Sequence, residues 1–206
     1  MTGTASSSDP RTAPPSDNRP WHSARWRAYD RLIVHLLPFT PDHFSTLSGW
    51  FGSDADVVQW GGPFVHFPLS DDQMMAMLDE GRSDPPARLC WIAQDGDRLV
   101  GHVQIAFDWR NGNATLGRVA IAPDARGRGL AVPMLRLALA SAFAFDAVER
   151  LELNVYAWNR PAIRSYERLG FVTEGVRLSS VRVGDARWDT AIMRMLRSEW
   201  TDSTPA

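Results

Sequence analysis

Two segments of this chain each join an apolar run to a helix start, and they constrain the fold more than any other feature. Gly117–Ile121 leads into Arg126–Ala131, a loop rich in glycine and arginine, and Leu151–Val155 leads into Asn159–Phe171. Each pair predicts a strand that runs directly into a helix. Strands that alternate with helices in this way are typical of a sheet packed against helices.

The loop Arg126–Ala131 is suited to hold a chain of phosphate groups. Gly127 and Gly129 allow close approach of the backbone and positive φ angles, and the free N–H groups of the following helix point toward an anion. Charged hydrogen bonds from Arg126 and Arg128 contribute roughly 1.5–3 kcal/mol each, more than the ~0.3–1 kcal/mol of the helix dipole. The loop therefore favours a polyphosphate ligand. A solvated surface loop is the alternative.

Composition excludes several classes of protein. A hydrophobic fraction of 44% over 206 residues allows one domain with a sizeable core. A net charge of -2 argues against a nucleic-acid partner. The single cysteine, Cys90, fits a reducing cytoplasm and excludes a thiolate zinc site. The longest apolar stretch, Leu137–Phe145, is too short for a bilayer, which needs ~20 residues. We expect a cytoplasmic protein without metal or membrane contact.

The pattern of apolar runs and helix caps predicts a mixed α/β (α+β) sheet of about seven strands, flanked by helices on both faces. Residues 1–21 are rich in Ser, Thr, Pro and Asp and predict a disordered tail, which leaves residues 22–206 as a single domain. Trp60–Phe64 is expected to be a loop. Helices are predicted at Thr40–Trp50, at Ser70–Leu78 with a capping box at Ser70–Gln73 and a stop at Gly81, at Gly129–Phe145, and at Asn159–Leu169 with Gly170 as its C-terminal cap. Strands are predicted at Arg31–Leu36, Leu89–Ala93, Leu99–Phe107, Thr115–Ile121, Leu151–Val155, Val176–Val183 and Arg187–Met195.

The two helix starts also carry motifs of a known family. Arg126, Gly129 and Ala131 match the pattern Arg/Gln-x-x-Gly-x-Gly/Ala, and Asn159 and Tyr166 belong to a second signature that ends at Gly170-Phe171. From about Leu32 to Trp200 the chain resembles the GNAT superfamily of N-acetyltransferases. The segment Trp60-Gly61-Gly62-Pro63 and the ending Asp189…Met193…Leu196…Glu199-Trp200 resemble the RimJ/RimL-type branch.

The resemblance implies a sheet that splays where Thr115–Ile121 and Leu151–Val155 part as a V, with acetyl-CoA as the co-substrate in the gap. The pantetheine arm would pair with the backbone of the first strand and contact Asn159, which is also a predicted helix cap. The pyrophosphate would lie on the glycine loop. The positions implied for acetyl-CoA are Val119, Ala120, Ile121, Arg126, Gly127, Arg128, Gly129, Leu130, Ala131, Val132 and Asn159.

Tyr166 is the implied general acid, which would protonate the departing thiolate of CoA. A free thiol has a pKa of about 8.5 and a phenol of about 10, so the proton transfer is feasible as the thiolate forms. A buried core tyrosine is the alternative.

The general base is less evident. Many relatives carry a glutamate where this chain has Asn154, which cannot accept a proton. Glu152 lies on the same strand face, so a water held by Asn154 and Glu152 is one hypothesis, and a solvated Glu152 is the other. His102 is interpreted as a core histidine rather than a base.

The acceptor is predicted to be a primary amine that attacks acetyl-CoA directly in a ternary complex. Gly52–Pro86 carries seven acidic residues against one arginine, which would attract a cation, although a solvated helix face is the alternative. Without a base, an amine of low pKa is favoured, such as a protein N-terminus, a small amine or an aminoglycoside-like amino sugar. A catalytically weak acyl-CoA sensor stays open, and a second copy of the chain is a candidate partner.

Overall fold

Seven strands form one mixed sheet within residues 34–201, the part of the chain that the computed structural model describes. Their spatial order is β1-β2-β3-β4-β5-β7-β6, and neighbours are antiparallel except for β4 and β5. The predicted tail, residues 1–21, and the first residues of the predicted first strand lie outside this range. The strands are β1 (His35–Pro38), β2 (Arg88–Asp95), β3 (Arg98–Asp108), β4 (Asn113–Ile121), β5 (Arg150–Tyr156), β6 (Val172–Val183) and β7 (Ala186–Leu196).

Helices cover both faces of the sheet. The first three pack over a core that includes Phe44, Trp60 and Met74, and the last two pack over a core that includes Leu139 and Tyr166. The predicted fold class is therefore confirmed. The helices are α1 (Phe44–Ser48), α2 (Asp54–Gly61), α3 (Asp71–Asp79), α4 (Ala131–Phe143) and α5 (Arg160–Leu169), with 3-10 turns at Pro41–His43, Glu80–Arg82, Pro123–Ala125 and Arg197–Glu199.

The sheet splays at its centre. β4 and β5 pair only from Asn113–Leu116 to Arg150–Leu153. Beyond that point β5 continues to Tyr156 beside β7, while Gly117–Ile121 of β4 continues beside β3 alone. The predicted V between these strands is confirmed.

Two predictions in the first third of the chain were wrong. Trp60 and Gly61 close α2 rather than belonging to a loop, because Ser53 caps this helix by accepting a hydrogen bond from the backbone N–H of Asp56 at 3.2 Å. Gly62, at φ +79°, ends it. The predicted helix from Thr40 to Trp50 is only a 3-10 turn followed by the five residues of α1.

The predicted capping box before α3 forms only in part. Ser70 accepts a hydrogen bond from the backbone N–H of Gln73 at 3.3 Å. The Gln73 side chain does not return to Ser70, because it bonds instead to the backbone of His66 and Pro68. This amide holds the loop before α3 against the helix.

Candidate active site

The gap between β4 and β5 opens into a cavity of about 720 Å³. Its wall combines α2, the splayed ends of both strands, the glycine loop, and parts of α4 and α5. Of the residues predicted from the sequence, those that line it are Val119, Ala120, Ile121, Arg126, Gly127, Gly129, Leu130, Ala131, Asn154, Asn159 and Tyr166. Arg128, Val132 and Glu152 are not among its lining residues.

A β-bulge at Arg118 shapes the cavity edge of β4. His102 of β3 lies opposite Ala120, but Gln104 lies opposite Gly117, so β4 contains one extra residue here. Arg118 has a φ of 49°, in the left-handed region. Two side chains hold its carbonyl oxygen, which accepts hydrogen bonds from Trp60 Nε1 at 2.7 Å and His102 Nδ1 at 2.9 Å.

After the bulge, alternate backbone groups of β4 point into the gap. Ala122 donates its N–H to Val100 of β3 at 2.9 Å. Successive residues of a strand direct these groups to opposite edges, so the backbone N–H and C=O of Ile121 and Val119 face the space that β5 has left. An extended amide chain in the gap would meet them as a neighbouring strand would.

His102 is a core histidine, as the sequence favoured. Its side chain is fully buried and is not part of the cavity wall. Because Nδ1 donates to the Arg118 carbonyl, Nε2 is left to accept from the Gln104 amide at 3.4 Å. Burial in this apolar surrounding lowers the pKa of His102 to about 3, so the ring is neutral at physiological pH.

The glycine loop presents free N–H groups to the cavity. Gly127 and Gly129 both have a φ of +78°, and a Cβ at either position would meet no atom within 4 Å. Leu130, which precedes α4, makes no side-chain cap. Across the described residues, no hydrogen bond joins a backbone N–H of Gly127–Val132 to another group. This cradle fits a diphosphate, which is what coenzyme A carries.

The two arginines of this loop have different positions. Arg126 lines the cavity, and its Nε donates to the Ile121 carbonyl at 3.3 Å. Arg128 points away and pairs with Asp95 at the end of β2, with 2.6 Å between Nη2 and Oδ2. Its side chain therefore anchors the loop to the β2–β3 hairpin.

The start of α5 brings two predicted residues to the cavity. Asn159 caps the helix by accepting a hydrogen bond from Ala162 N–H at 3.3 Å, and its amide nitrogen is left for a ligand. Gly170 ends the helix at φ +101°. Both predicted caps are confirmed.

Tyr166 is buried in the cavity wall, and its ring packs edge-to-face on Phe171 with 6.0 Å between centroids. No hydrogen bond joins its hydroxyl to another residue in the described range, yet no fully buried side-chain oxygen or nitrogen there lacks a partner. The hydroxyl is therefore open to the cavity. Burial raises the pKa of Tyr166 well above that of a free phenol, so it stays protonated.

Asn154 and Glu152 have different hydrogen-bond partners and different positions relative to the cavity. Asn154 lines the cavity, and its side-chain oxygen accepts a hydrogen bond from Arg177 of β6 at 2.6 Å. Glu152 accepts from Arg150 Nε at 3.3 Å, lower on the strand where β4 and β5 still pair. This placement favours the hypothesis of a solvated, ion-paired Glu152.

The family model described as Acetyltransferase (GNAT) family matches residues 55–171. The chain belongs to this family. As a GNAT protein it is an acetyl-CoA-dependent N-acetyltransferase.

The similar proteins and the similar solved structure are also described as N-acetyltransferases. The chain is 30% identical over 137 residues to the SPbeta prophage-derived uncharacterized N-acetyltransferase YokL of Bacillus subtilis (66% of this chain, 76% of that protein). It is 29% identical to the spermidine N(1)-acetyltransferase of Vibrio cholerae over 84% of this chain and 93% of that protein. The crystal structure of spermidine N-acetyltransferase from Vibrio cholerae with CoA and spermine superposes with a TM-score of 0.69 at 20% identity (81% and 97% covered).

The far wall of this GNAT cavity comes from α2 and the loop before it. The sequence predicted the acidic charge of this segment, within Gly52–Pro86, but not the helix. Phe51, Asp56, Gln59 and Trp60 line it. Asp56 Oδ2 accepts hydrogen bonds from Ser53 Oγ at 2.8 Å and Gly52 N–H at 3.1 Å. The pattern Ser-x-x-Asp at Ser53–Asp56 is typical of a helix start, and α2 could have been predicted from it.

Features of a membrane span or a metal centre are missing from the described part of the chain. Between residues 34 and 201 no helix is long and apolar enough to cross a membrane. Over the same residues, no three His, Cys, Asp or Glu side chains group closely enough to hold a metal.

Proposed function

We propose that this GNAT acetyltransferase transfers the acetyl group of acetyl-CoA to a small primary amine that carries a positive charge. One observation carries the proposal. The cavity extends from the open edge of β4 to α2, where Asp56 is the single carboxylate among its described lining residues. A carboxylate at this wall attracts an ammonium group, while the glycine loop on the other side attracts phosphates.

The binding roles follow from the geometry. The N–H groups of Gly127–Val132 and the Arg126 guanidinium would hold the pyrophosphate. The backbone groups of Val119 and the N–H of Ile121 would pair with the pantetheine amides, and the Asn159 amide would contact the same arm. The Ile121 carbonyl already accepts a hydrogen bond from Arg126. These contacts would place the thioester in the V beside Asn154 and Tyr166.

In the reaction, the neutral amine attacks the thioester carbonyl carbon, so that a C–N bond forms and the C–S bond breaks. Tyr166 would donate its phenolic proton to the departing sulfur, since its hydroxyl is open to the cavity and stays protonated. The proton released from the amine passes to water, and water in the cavity returns a proton to the Tyr166 oxygen. No covalent acyl-enzyme is required.

Deprotonation of the amine depends on the pair formed by Asn154 and Arg177. Neither side chain accepts a proton at neutral pH, and Glu152 does not line the cavity. The Arg177 guanidinium instead lowers the pKa of an ammonium bound nearby by charge repulsion. The neutral, reactive amine is thereby favoured without a carboxylate base.

Two classes of small amine are candidates, each supported by a different observation. The name of the Vibrio cholerae relative and the Asp56 carboxylate favour a polyamine. The absent base favours an amine of low pKa, because an amine of pKa near 8 is about 10% neutral at pH 7 and one near 10.4 about 0.04%. Neither the Bacillus subtilis nor the Vibrio cholerae relative supports a protein N-terminus as acceptor. The RimJ/RimL-type branch and a homodimer stay predictions.

A thiol-release assay with a panel of amines tests the proposal. Spermidine, an amino acid amide, an amino sugar, free lysine and a peptide N-terminus are compared at equal concentration from pH 6 to 9. Turnover of spermidine or of the small low-pKa amines supports the proposal. Turnover restricted to the peptide, or acetyl-CoA binding without turnover of any amine, would contradict it.

A further inference from the structure

Arg118 brings to the cavity a positive charge that no carboxylate neutralises. It lies in the β-bulge of β4 and is one of the residues that line the cavity. Its Nη1 donates a hydrogen bond to the side-chain oxygen of Gln104 at 2.9 Å, and no carboxylate among residues 34–201 forms an ion pair with it. By contrast Arg88, which donates to the same oxygen at 3.3 Å, pairs with Glu80 at 2.9 Å.

The other donors of the Arg118 guanidinium are accessible to a ligand. Nε and Nη2 have no hydrogen-bond partner among the described residues, yet no fully buried side-chain nitrogen or oxygen there lacks one. These two nitrogens are therefore not sealed in the core, and the cavity that Arg118 lines leads to them. The fork of N–H donors on a guanidinium matches the two oxygens of a carboxylate.

The surroundings of Arg118 hold it in place. Its partner Gln104 is fully buried and also bonds to Met77 of α3 and to His102. Its carbonyl oxygen is held by Trp60 and His102 while its φ is 49°, a conformation that is unfavourable for a residue with a side chain. Such backbone strain persists where the surrounding structure enforces it, and it is concentrated at functional sites.

The charge of Arg118 is only partly compensated inside the protein. Burial, and next to it the neighbouring charge of Arg88, lowers the pKa of Arg118 to about 10. The guanidinium is therefore still a cation at neutral pH, in a position where water solvates it poorly. An anion that binds there compensates the charge of Arg118.

Two opposite charges lie on the α2 side of the cavity. Asp56 and Trp60 both belong to α2 and line the cavity, and Trp60 donates its hydrogen bond to Arg118. A zwitterion matches this wall, because its ammonium group is attracted by Asp56 and its carboxylate by Arg118. The glycine loop, which attracts phosphates, lies at the other end of the cavity lining.

We propose that Arg118 binds a carboxylate group of the acceptor, and that the acceptor is an α-amino acid. This inference rests on the proposed function and narrows its small amine to one that carries both charges. Pairing with Arg118 also favours the reactive amine. A free carboxylate stabilises the ammonium beside it, and a carboxylate paired with a guanidinium does so less. The amine thus loses its proton more readily in a site without a carboxylate base.

Steady-state kinetics with a panel of α-amino acids, each as the free acid and as its amide, test the site. For the best pair, the ratio of kcat/KM for the acid to that for the amide should be roughly ten-fold or more higher in the wild type than in Arg118→Met, as charge-assisted hydrogen bonds to one carboxylate imply. The variant should raise the KM of the acid more than that of the amide. Because the same two compounds are compared in each protein, the difference between their amine pKa values cancels.

Matched variants make the result specific. Arg88→Met removes the other arginine that bonds to Gln104, but Arg88 does not line the cavity, so this variant should keep the wild-type ratio. Arg118→Lys retains the charge and should restore part of the ratio. Thermal unfolding by circular dichroism verifies that each variant is folded.

The outcomes separate this inference from the proposed function. If amines are acetylated but folded Arg118→Met has the wild-type ratio, the inference is wrong and the proposed function stands. An equal change of the ratio in Arg88→Met would also overturn it, because the effect would then come from the general charge of the cluster. Absence of turnover with every amine would overturn both.

Discussion

The guanidinium of Arg177 donates a hydrogen bond of 2.6 Å to the side-chain oxygen of Asn154. A strand at the edge of the sheet thereby places a fixed positive charge beside the cavity wall of β5. Asn154 thus presents to the cavity an amide that is held by a cation. In the proposed mechanism the pair affects the reaction through charge rather than through proton transfer.

Removing this charge should change the pH dependence of the enzyme. In Arg177→Ala the pKa of the bound amine rises, so we expect the profile of kcat/KM to move to higher pH by up to about one unit. Initial rates from pH 6 to 10 measure the shift. Arg182→Ala, farther along β6 and bonded to the Gly184 carbonyl, is the matched control and should leave the profile in place. Superimposable profiles for Arg177→Ala and wild type would contradict the role.

Tyr166→Phe should lower kcat while the affinity for acetyl-CoA stays nearly intact. Loss of one general acid typically costs roughly 10²–10⁴-fold in rate. Because burial raises the pKa of Tyr166, the wild-type rate should not fall between pH 7 and 10 through ionisation of this phenol. Steady-state rates and calorimetry separate the two effects. An unchanged kcat would make Tyr166 a packing residue.

Gly129→Ala should weaken acetyl-CoA binding beyond its effect on stability. Gly129 and Gly184 both have positive φ, at +78° and +57°, and a Cβ at either meets no atom within 4 Å. Each alanine should therefore destabilise the fold by about 1–2 kcal/mol. Only the change at Gly129 obstructs the phosphate cradle. Calorimetry and chemical unfolding of both variants test this, and equal affinities would place the pyrophosphate elsewhere.

Asp56→Asn should raise the KM of a cationic amine and leave the Kd of CoA unchanged. Asp54→Asn is the control, because Asp54 is also in the first turn of α2 but does not line the cavity. Both substitutions remove one charge from the helix start. The asparagine oxygen at position 56 can still accept the hydrogen bonds from Gly52 and Ser53, and chemical unfolding of both variants measures the remaining difference in stability. If both variants change KM equally, the acceptor responds to the overall negative charge of α2 and not to a specific contact with Asp56.

His102 should make the protein sensitive to acid. Its pKa is about 3 in the folded protein, against 6.5 in the unfolded chain, so below pH 6.5 only the unfolded state gains a proton. Stability is therefore lost as the pH falls, by about 1.4 kcal/mol per unit from this group. In His102→Asn the free energy of unfolding in urea should decline less steeply between pH 6.5 and 4.5. A slope equal to that of wild type would refute the assignment.

Much of the site could be predicted because its signals are local. Glycines at positive φ, the Asn159 cap and the alternation of strand and helix are each encoded within a few residues. The far wall could not be predicted in the same way. Gly61 and Gly62, at the end of α2, indicated a loop. In the structure the helix that begins after the Ser53 cap continues through Gly61.

The sequence also did not predict which side chains, distant along the chain, pair with each other. Arg128 looks equivalent to Arg126, but the fold brings Asp95 beside it. Asn154 of β5 likewise meets Arg177 of β6, although β7 lies between these two strands. Such pairings depend on strand order and register, which no local pattern specifies.

The splay between β4 and β5 leaves the sheet incomplete at its centre. Only four residue pairs join the two strands, and the backbone groups of Val119 and Ile121 have no strand to pair with. A ligand that supplies those hydrogen bonds binds only the folded protein and adds to its stability. In the proposed binding mode acetyl-CoA is thus both a reactant and a temporary part of the sheet, and the departure of CoA leaves β4 and β5 joined only by their four paired residues.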